Sequence, residues 1–347
     1  MNSQSFSPTR SSNKAELSNE LNEEPKILSN EPESATHLMT KASQNIEDTH
    51  KQTKTNLSQD FTFIRAARKG DADTVKKLLI EARPPHSNEE KINAFITACK
   101  MGHTAVVALL KGLGNVDPSV QNNRGFMLAC QNQKLSAAEV LIGDERVDPA
   151  DQNNKALLTS AAHGSIEIYK LLINNDKVDP SANKNEALIL ASKNGHVSIV
   201  EDLIKNKKVN ECENSYESFN EAFMKAVEAE QLDVLNVLKH SPFVDPSYGN
   251  NRAIIYAAEW GLSNIFHFLL QDPRVDPSDQ NNEAIRKASH MSQIDFMSVL
   301  LEDNRVLAKL TEEEIYSFRK EINEYKQIEV DPMEEVTPEI KKQKLED

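Results

Sequence analysis

The chain repeats itself. The tripeptide Val-Asp-Pro begins at Val116, Val147, Val178, Val244 and Val275, and Val209 and Val306 keep the spacing after losing the Asp-Pro. The steps between these valines are 31, 31, 31, 35, 31 and 31 residues. A second ladder, Asn123, Asn154, Asn185, Asn220, Asn251 and Asn282, slips by the same four residues at the same place. Two ladders in one register with one shared slip mark copies of a single supersecondary unit. Such a chain is constrained to an array in which each copy packs on its neighbours.

Two residues after each Asn stands Gly125, Ala156, Ala187, Ala222, Ala253 or Ala284, and four further on Ala129, Ser160, Ala191, Ala226, Ala257 or Ala288. That spacing is one face of a short helix. Four residues later comes a break, held by Gly70, Gly102, Gly164, Gly195 and Gly261 and by Gln133, Glu230 and Ser292 in the other copies. Glycine there ends a helix in the left-handed conformation without a Cβ penalty. Apolar residues at i, i+3 and i+4 follow, as in Val200, Leu203 and Ile204 or Phe266, Leu269 and Leu270, and predict a second amphipathic helix ahead of the Asp-Pro turn. The break position counts eight units. Each helix is about ten residues, marginal alone in water, so stacking must supply the stability.

The best copy, Glu186-Ala187-Leu188-Ile189-Leu190-Ala191-Ser192-Lys193-Asn194-Gly195-His196, resembles the ankyrin repeat, whose consensus reads T-P-L-H-x-A before a Gly-His break. Here Ala187 stands for the Pro and Glu186 for the Thr, and the period is 31 rather than 33 residues. The resemblance covers residues 61–302 and implies an all-α ankyrin-repeat solenoid of about eight helix-turn-helix units. With Thr and Pro absent, the ladder asparagines are expected to serve as N-caps, each worth about 1 kcal/mol. The shorter period implies a tighter turn between units. Thr311 and Glu314 have capping-box spacing, and Leu310, Ile315, Phe318 and Ile322 form an apolar stripe, so residues 303–328 are expected to be a C-terminal capping helix. An acidic flexible tail is expected over residues 329–347. Residues 1–60, rich in Ser, Asn, Thr, Glu and Pro without a sustained period, are expected to form a disordered N-terminal arm.

The net charge is −14, divided as −3 over residues 1–60, −6 over 302–347 and −5 between them. A general nucleic-acid binder needs a basic footprint instead. No glycine-rich phosphate loop follows a strand pattern, and no apolar run is long enough to span a bilayer. Cys99 and Cys130 share one position in adjacent units, where helices about 8–10 Å apart exceed the reach of a disulfide. Cys212 lies in the irregular copy. These three cysteines are too few and too irregularly placed for a disulfide framework, which points to a reducing compartment. The histidines have no metal-ligand spacing, and His103 and His196 follow break glycines, where the family uses His structurally. The Asp ladder of Asp117, Asp148, Asp179, Asp245 and Asp276 is expected to form turns rather than bind calcium. No HExxH, paired CxxC or GxSxG occurs, and neither flank has the pattern of a catalytic domain. The expectation is a protein with no enzymatic activity, no cofactor and no metal.

In ankyrin stacks the partner usually lies on the concave face, formed by the turn tips and the two residues before the break. Carried over by register, these include Lys100 and Met101, Lys193, Glu259 and Trp260, and His290 and Met291. Basic residues, Arg68 and Lys69 among them, dominate the early units, and acids enter in the sixth and seventh. Trp260, the one tryptophan, shares its unit with Tyr248 and Arg252 and stands one unit before Met291. Trp and Tyr are enriched among binding hot spots, so a partner contact is expected on Tyr248, Arg252, Glu259, Trp260 and Met291; the alternative is that Trp260 folds back on its neighbours. The 35-residue step places a longer turn at residues 210–219, with Tyr216, read either as a projecting functional loop or as tolerated drift.

The Asp-Pro turns and Asn-Asn helix starts resemble the short ankyrin arrays of protists, giant viruses and intracellular bacteria that deliver proteins into host cells. Glu334, Glu335 and Glu339, with Leu345 three from the C-terminus, are similar to the glutamate-rich translocation signal of Dot/Icm type IV effectors of the Legionella and Coxiella group. Residues 1–10 lack the apolar core of a Sec-type signal peptide. The resemblance implies a monomeric scaffold secreted into the host cytoplasm to bind host protein. An endogenous cytosolic ankyrin adaptor is the alternative, and an enzyme a more distant one.

Overall fold

A computed structural model describes residues 62–83 and 85–330, with side chains to 326, all within the compact unit Ser58–Asp347. The proposed arm over residues 1–60 and the tail glutamates Glu334, Glu335 and Glu339 with Leu345 lie outside the described residues. Among the described residues every regular element is a helix.

The helices come in pairs. Units one to four are α1 (62–69) with α2 (Ala72–Glu81), α3 (Asn88–Met101) with α4 (Thr104–Lys111), α5 (Val120–Gln131) with α6 (Leu135–Ile142), and α7 (Asp151–His163) with α8 (Ile166–Ile173). Unit five is α9 (Ala182–Lys193) with α10 (Val197–Leu203). A single turn, α11 (Lys207–Asn210), leads into unit six, α12 (Ser215–Glu228) with α13 (Leu232–Leu238). Units seven and eight are α14 (Tyr248–Trp260) with α15 (Ser263–Leu270) and α16 (Asp279–His290) with α17 (Ile294–Leu300). A second single turn, α18 (Asn304–Leu307), precedes α19 (Glu312–Val330).

First helices pack on first helices along the row from α3 to α16, and second helices on second helices from α2 to α13. The fold is therefore the two-row solenoid that the repeat implied. The ladder valines, from Val116 to Val306, are all buried where each turn closes on the stack. Small residues are required between the first helices: a Cβ added at Gly125 would lie 2.9 Å from the Phe95 ring and 3.1 Å from the Cys99 sulfur. Cys99 and Cys130 are free and buried, and burial pushes both thiols up to about 12. At the C-terminal end α19 packs on α17 and buries Phe318 and Ile322. Thr311 and Glu314 form the expected reciprocal cap: the Thr311 amide donates to Glu314 Oε2 at 2.9 Å and the Glu314 amide to Thr311 Oγ1 at 3.2 Å.

The ladder asparagines do something other than cap their own helices. In five units three successive residues are left-handed, such as Gln121, Asn122 and Asn123 at φ 54, 57 and 54°. The residue preceding each of α5, α7, α9, α14 and α16 makes no side-chain cap bond. The last left-handed residue is the ladder Asn, and its buried side chain reaches into the next unit's turn. Asn123 Oδ1 accepts from the Asp148 amide at 3.0 Å, and Asn154, Asn220 and Asn251 accept from Asp179, Asp245 and Asp276 at 2.9, 2.8 and 2.8 Å. Each Asp in turn bends its own backbone, as Asp179 Oδ1 does by accepting the Ser181 amide at 3.0 Å. Asn185 and Asn282 precede turns without Asp-Pro, and they donate instead to the carbonyls of Val209 and Val306. The amide that would have matched Asn185 Oδ1 belongs to Asn210, which is spent inside α11 on the Asn206 carbonyl. The Oδ1 atoms of Asn185 and Asn282 are thus left buried with no hydrogen bond.

The 35-residue copy holds no projecting loop. Its four extra residues amount to about one helical turn, and α12 runs unbroken for 14 residues with no left-handed segment. Ser215, Ser218 and Phe219 are buried, while Tyr216 is exposed. Adding a whole turn lengthens the helix without rotating its buried face, so the ladder resumes in register.

Candidate protein-binding face

First helices expose a stripe of side chains on the side away from the second row. On α14 this stripe reads Arg252, Tyr256 and Trp260, the i, i+4 positions of one face, and Tyr248 stands ahead of them across the left-handed residues Gly249, Asn250 and Asn251. Trp260 ends the helix because Gly261 follows in the left-handed conformation at φ 70°. Its ring is 55% exposed and lies 6.0 Å from that of Tyr256. Trp260 is therefore braced by its own helix rather than folded beneath its neighbours. Tyr248 is 42% exposed, and its ring meets Tyr216 of α12 edge-on at 5.6 Å. Burial, and next the Asp245 carboxylate, raise the Tyr216 hydroxyl above its ordinary value. Met291, 40% exposed, closes α16 one unit on, beside the exposed His290.

The charged members of the expected cluster are tied between units. Arg252 lies 3.6 Å from Glu228 of α12, and Glu259 accepts from Lys287 of α16 at 3.0 Å. The Thr311 amide, and next Arg286 of α16, which donates to Glu314 at 2.7 Å, hold that carboxyl below its ordinary value. The cations of α16 are thereby engaged with the stack itself. Lys100 and Met101 at the end of α3, and Lys193 at the end of α9, are exposed as expected but stand on earlier units. Arg124 and Lys155, directly after the ladder Asn of units three and four, are exposed as well. The face thus turns from basic in the early units to aromatic and acidic at α12 and α14.

Sequence reasoning missed two members of the aromatic group. Tyr256 lies one turn before Trp260 and was visible in that spacing. Tyr216 was noted only as part of a longer turn, and its contact with Tyr248 depends on α12 beginning a turn early. The break histidines serve the scaffold: His103 Nε2 lies 2.8 Å from the Arg68 carbonyl and His196 Nε2 3.0 Å from that of Ala162, each at the end of the preceding unit's first helix. Among the described residues no group of His, Cys, Asp and Glu could hold a metal ion, and no helix is long and apolar enough to cross a membrane.

No curated protein matches the chain. A family model described as ankyrin repeats, three copies, matches at residues 63–153, 126–215 and 189–282. Its three overlapping placements follow the 31-residue register through more than half of the sequence and run over the left-handed breaks and paired rows described above. On that agreement of sequence and architecture, the chain belongs to the ankyrin-repeat family.

Proposed function

We propose that the protein is a non-catalytic scaffold that binds a partner protein through the concave face of units six to eight. Ankyrin repeats are a protein–protein interaction scaffold. The choice of surface rests on Trp260: a large aromatic side chain, more than half exposed, stands beside the Tyr256 ring at the end of its helix. Such residues dominate interface energetics, and truncating one costs about 2 kcal/mol or more. Tyr248, Arg252, Glu259, His290 and Met291 surround it in this reading, with Lys100, Met101 and Lys193 extending the contact to earlier units. Monomeric action is supported by α19, which covers apolar residues at the C-terminal end that would otherwise be offered to a second copy. Replacing Trp260 with Ala should abolish partner capture while circular dichroism stays unchanged; intact capture by the folded variant would overturn the choice of surface.

In the same proposal the protein is a translocated effector whose partner is a host protein in the host cytoplasm. The support is the tail sequence, in which Glu334, Glu335, Glu339 and Leu345 are similar to a type IV translocation signal. A translocation assay with and without the last 20 residues tests it, and unimpaired delivery of the shortened chain would remove the signal.

A further inference from the structure

Where the left-handed tip of unit seven faces the extra turn of α12, a pocket of about 290 Å³ opens between them. That is the small end of the range of about 300–1,000 Å³ seen for ligand pockets, and it is room enough for one long side chain. Its floor includes the buried Met224, and one wall is the exposed ring of Tyr248, braced by Tyr216. Carboxylates outnumber cations around it. Lys225 and Arg252 both turn to Glu228, at 2.7 and 3.6 Å. Asp245 is occupied by the amide and hydroxyl of Ser247. Glu217 and Glu221 remain, exposed, one helical turn apart on the pocket wall, with no cation partner among the described residues.

We propose that this pocket receives a Lys or Arg side chain from a basic segment of the partner protein. The inference rests on the reading of the concave face as a protein-binding surface and adds the chemistry that it selects. The methylenes of the incoming side chain lie along Met224 and the Tyr248 ring, and the cationic head meets the ring face and the carboxylates of Glu217 and Glu221. Charge complementarity also fixes a direction: the basic part of the partner sits at units six and seven, away from Lys100 and Lys193 on the earlier units.

The test is fluorescence anisotropy on the full chain with a dye-labelled peptide of alternating Gly and Arg, and the same peptide with Glu for Arg as comparison. The Arg peptide should bind and the Glu peptide should not. Glu217→Gln with Glu221→Gln should weaken Arg-peptide binding by about tenfold or more. Glu139→Gln with Glu167→Gln, exposed on the second-row helices α6 and α8, removes the same charge and should leave binding unchanged. An equal loss in both double variants would show attraction to net charge alone and overturn the pocket, as would an unchanged affinity after the pocket substitutions. Trp260→Ala run in parallel separates the two readings. If Trp260→Ala abolishes partner capture while the pocket variants leave peptide binding intact, only the pocket falls. If capture survives Trp260→Ala, the choice of surface falls, and the peptide series still decides the pocket.

Discussion

At the break between its two helices each unit is left-handed whether or not glycine is present, since Gln133, Glu230 and Ser292 hold φ of 55, 56 and 55°. Stacking thus imposes a backbone that an L-residue resists by about 1–2 kcal/mol. Five of the six ladder asparagines, all but Asn220, carry the same strain and offset it through hydrogen bonds to the next unit. Asn251 accepts the Asp276 amide at 2.8 Å and donates to Asp279 Oδ2 at 3.0 Å. Asn251→Ala should therefore lose about 2–3 kcal/mol in urea unfolding, from an unpaired amide and a strained alanine. Asn251→Gly keeps the first loss and relieves the second, so its midpoint should lie between alanine and wild type. The ladder was plain in the sequence, but its purpose was not. Spacing shows that a position is held, and an Asn before a helix reads as an N-cap because that is its commonest local use. Its partner lies 25 residues on, and three left-handed residues in a row, including Gln121 and Lys184, have no sequence signature.

Among the elements, α12 and α19 depart from the repeat in opposite ways. The sequence gives the length of the insertion at α12 but not its form. Residues 210–219 read as a longer turn, either projecting or drifted, whereas burial of Ser215, Ser218 and Phe219 against unit five makes helix from Ser215 onward. The capping helix α19 was readable because Thr311, Glu314, Phe318 and Ile322 form a local pattern that needs no knowledge of a neighbour. Its energetic role is to take the place of a further unit. Phe318→Ala with Ile322→Ala should lower stability by about 3 kcal/mol or more, with the earliest loss of amide exchange protection in α16 and α17. Protection lost evenly along the stack would contradict a capping role. The binding face was only partly readable for a related reason: Trp260 and Tyr248 announce themselves by residue type, whereas the pocket beside Tyr248 depends on α12 being an unbroken helix where α14 has a left-handed tip.

In the last units of the stack, arginines at the turns join successive units. Arg274 chelates Asp272 and donates to the Val244 carbonyl at 3.0 Å, and Arg305 repeats the arrangement with Asp303 and the Val275 carbonyl at 2.8 Å. The arginine beside each carboxylate holds Asp272 and Asp303 below the ordinary value of 3.8. Folded values below unfolded ones stabilise the protein above that pH and cease to do so as pH falls through the folded values. The urea midpoint should decline below about pH 4, and less steeply in Arg274→Gln with Arg305→Gln; the arginines are partly exposed, so the difference is modest, under about 1 kcal/mol. The asparagine bond between units has a consequence for how such a chain can change length. Half of it is encoded in one copy and half in the next, so an excision of one period returns matching halves to each other. Removing residues 147–177 brings Asp179 to the place of Asp148 opposite Asn123, and the shortened chain should melt in one cooperative transition. Removing residues 147–173, four fewer, sets Asn123 against the wrong amide and should broaden or abolish that transition. The array's length is thus a nearly quantised, heritable quantity: recombination can add or drop whole copies, and a remainder is accepted where, as at α12, it can be taken up as a turn of helix.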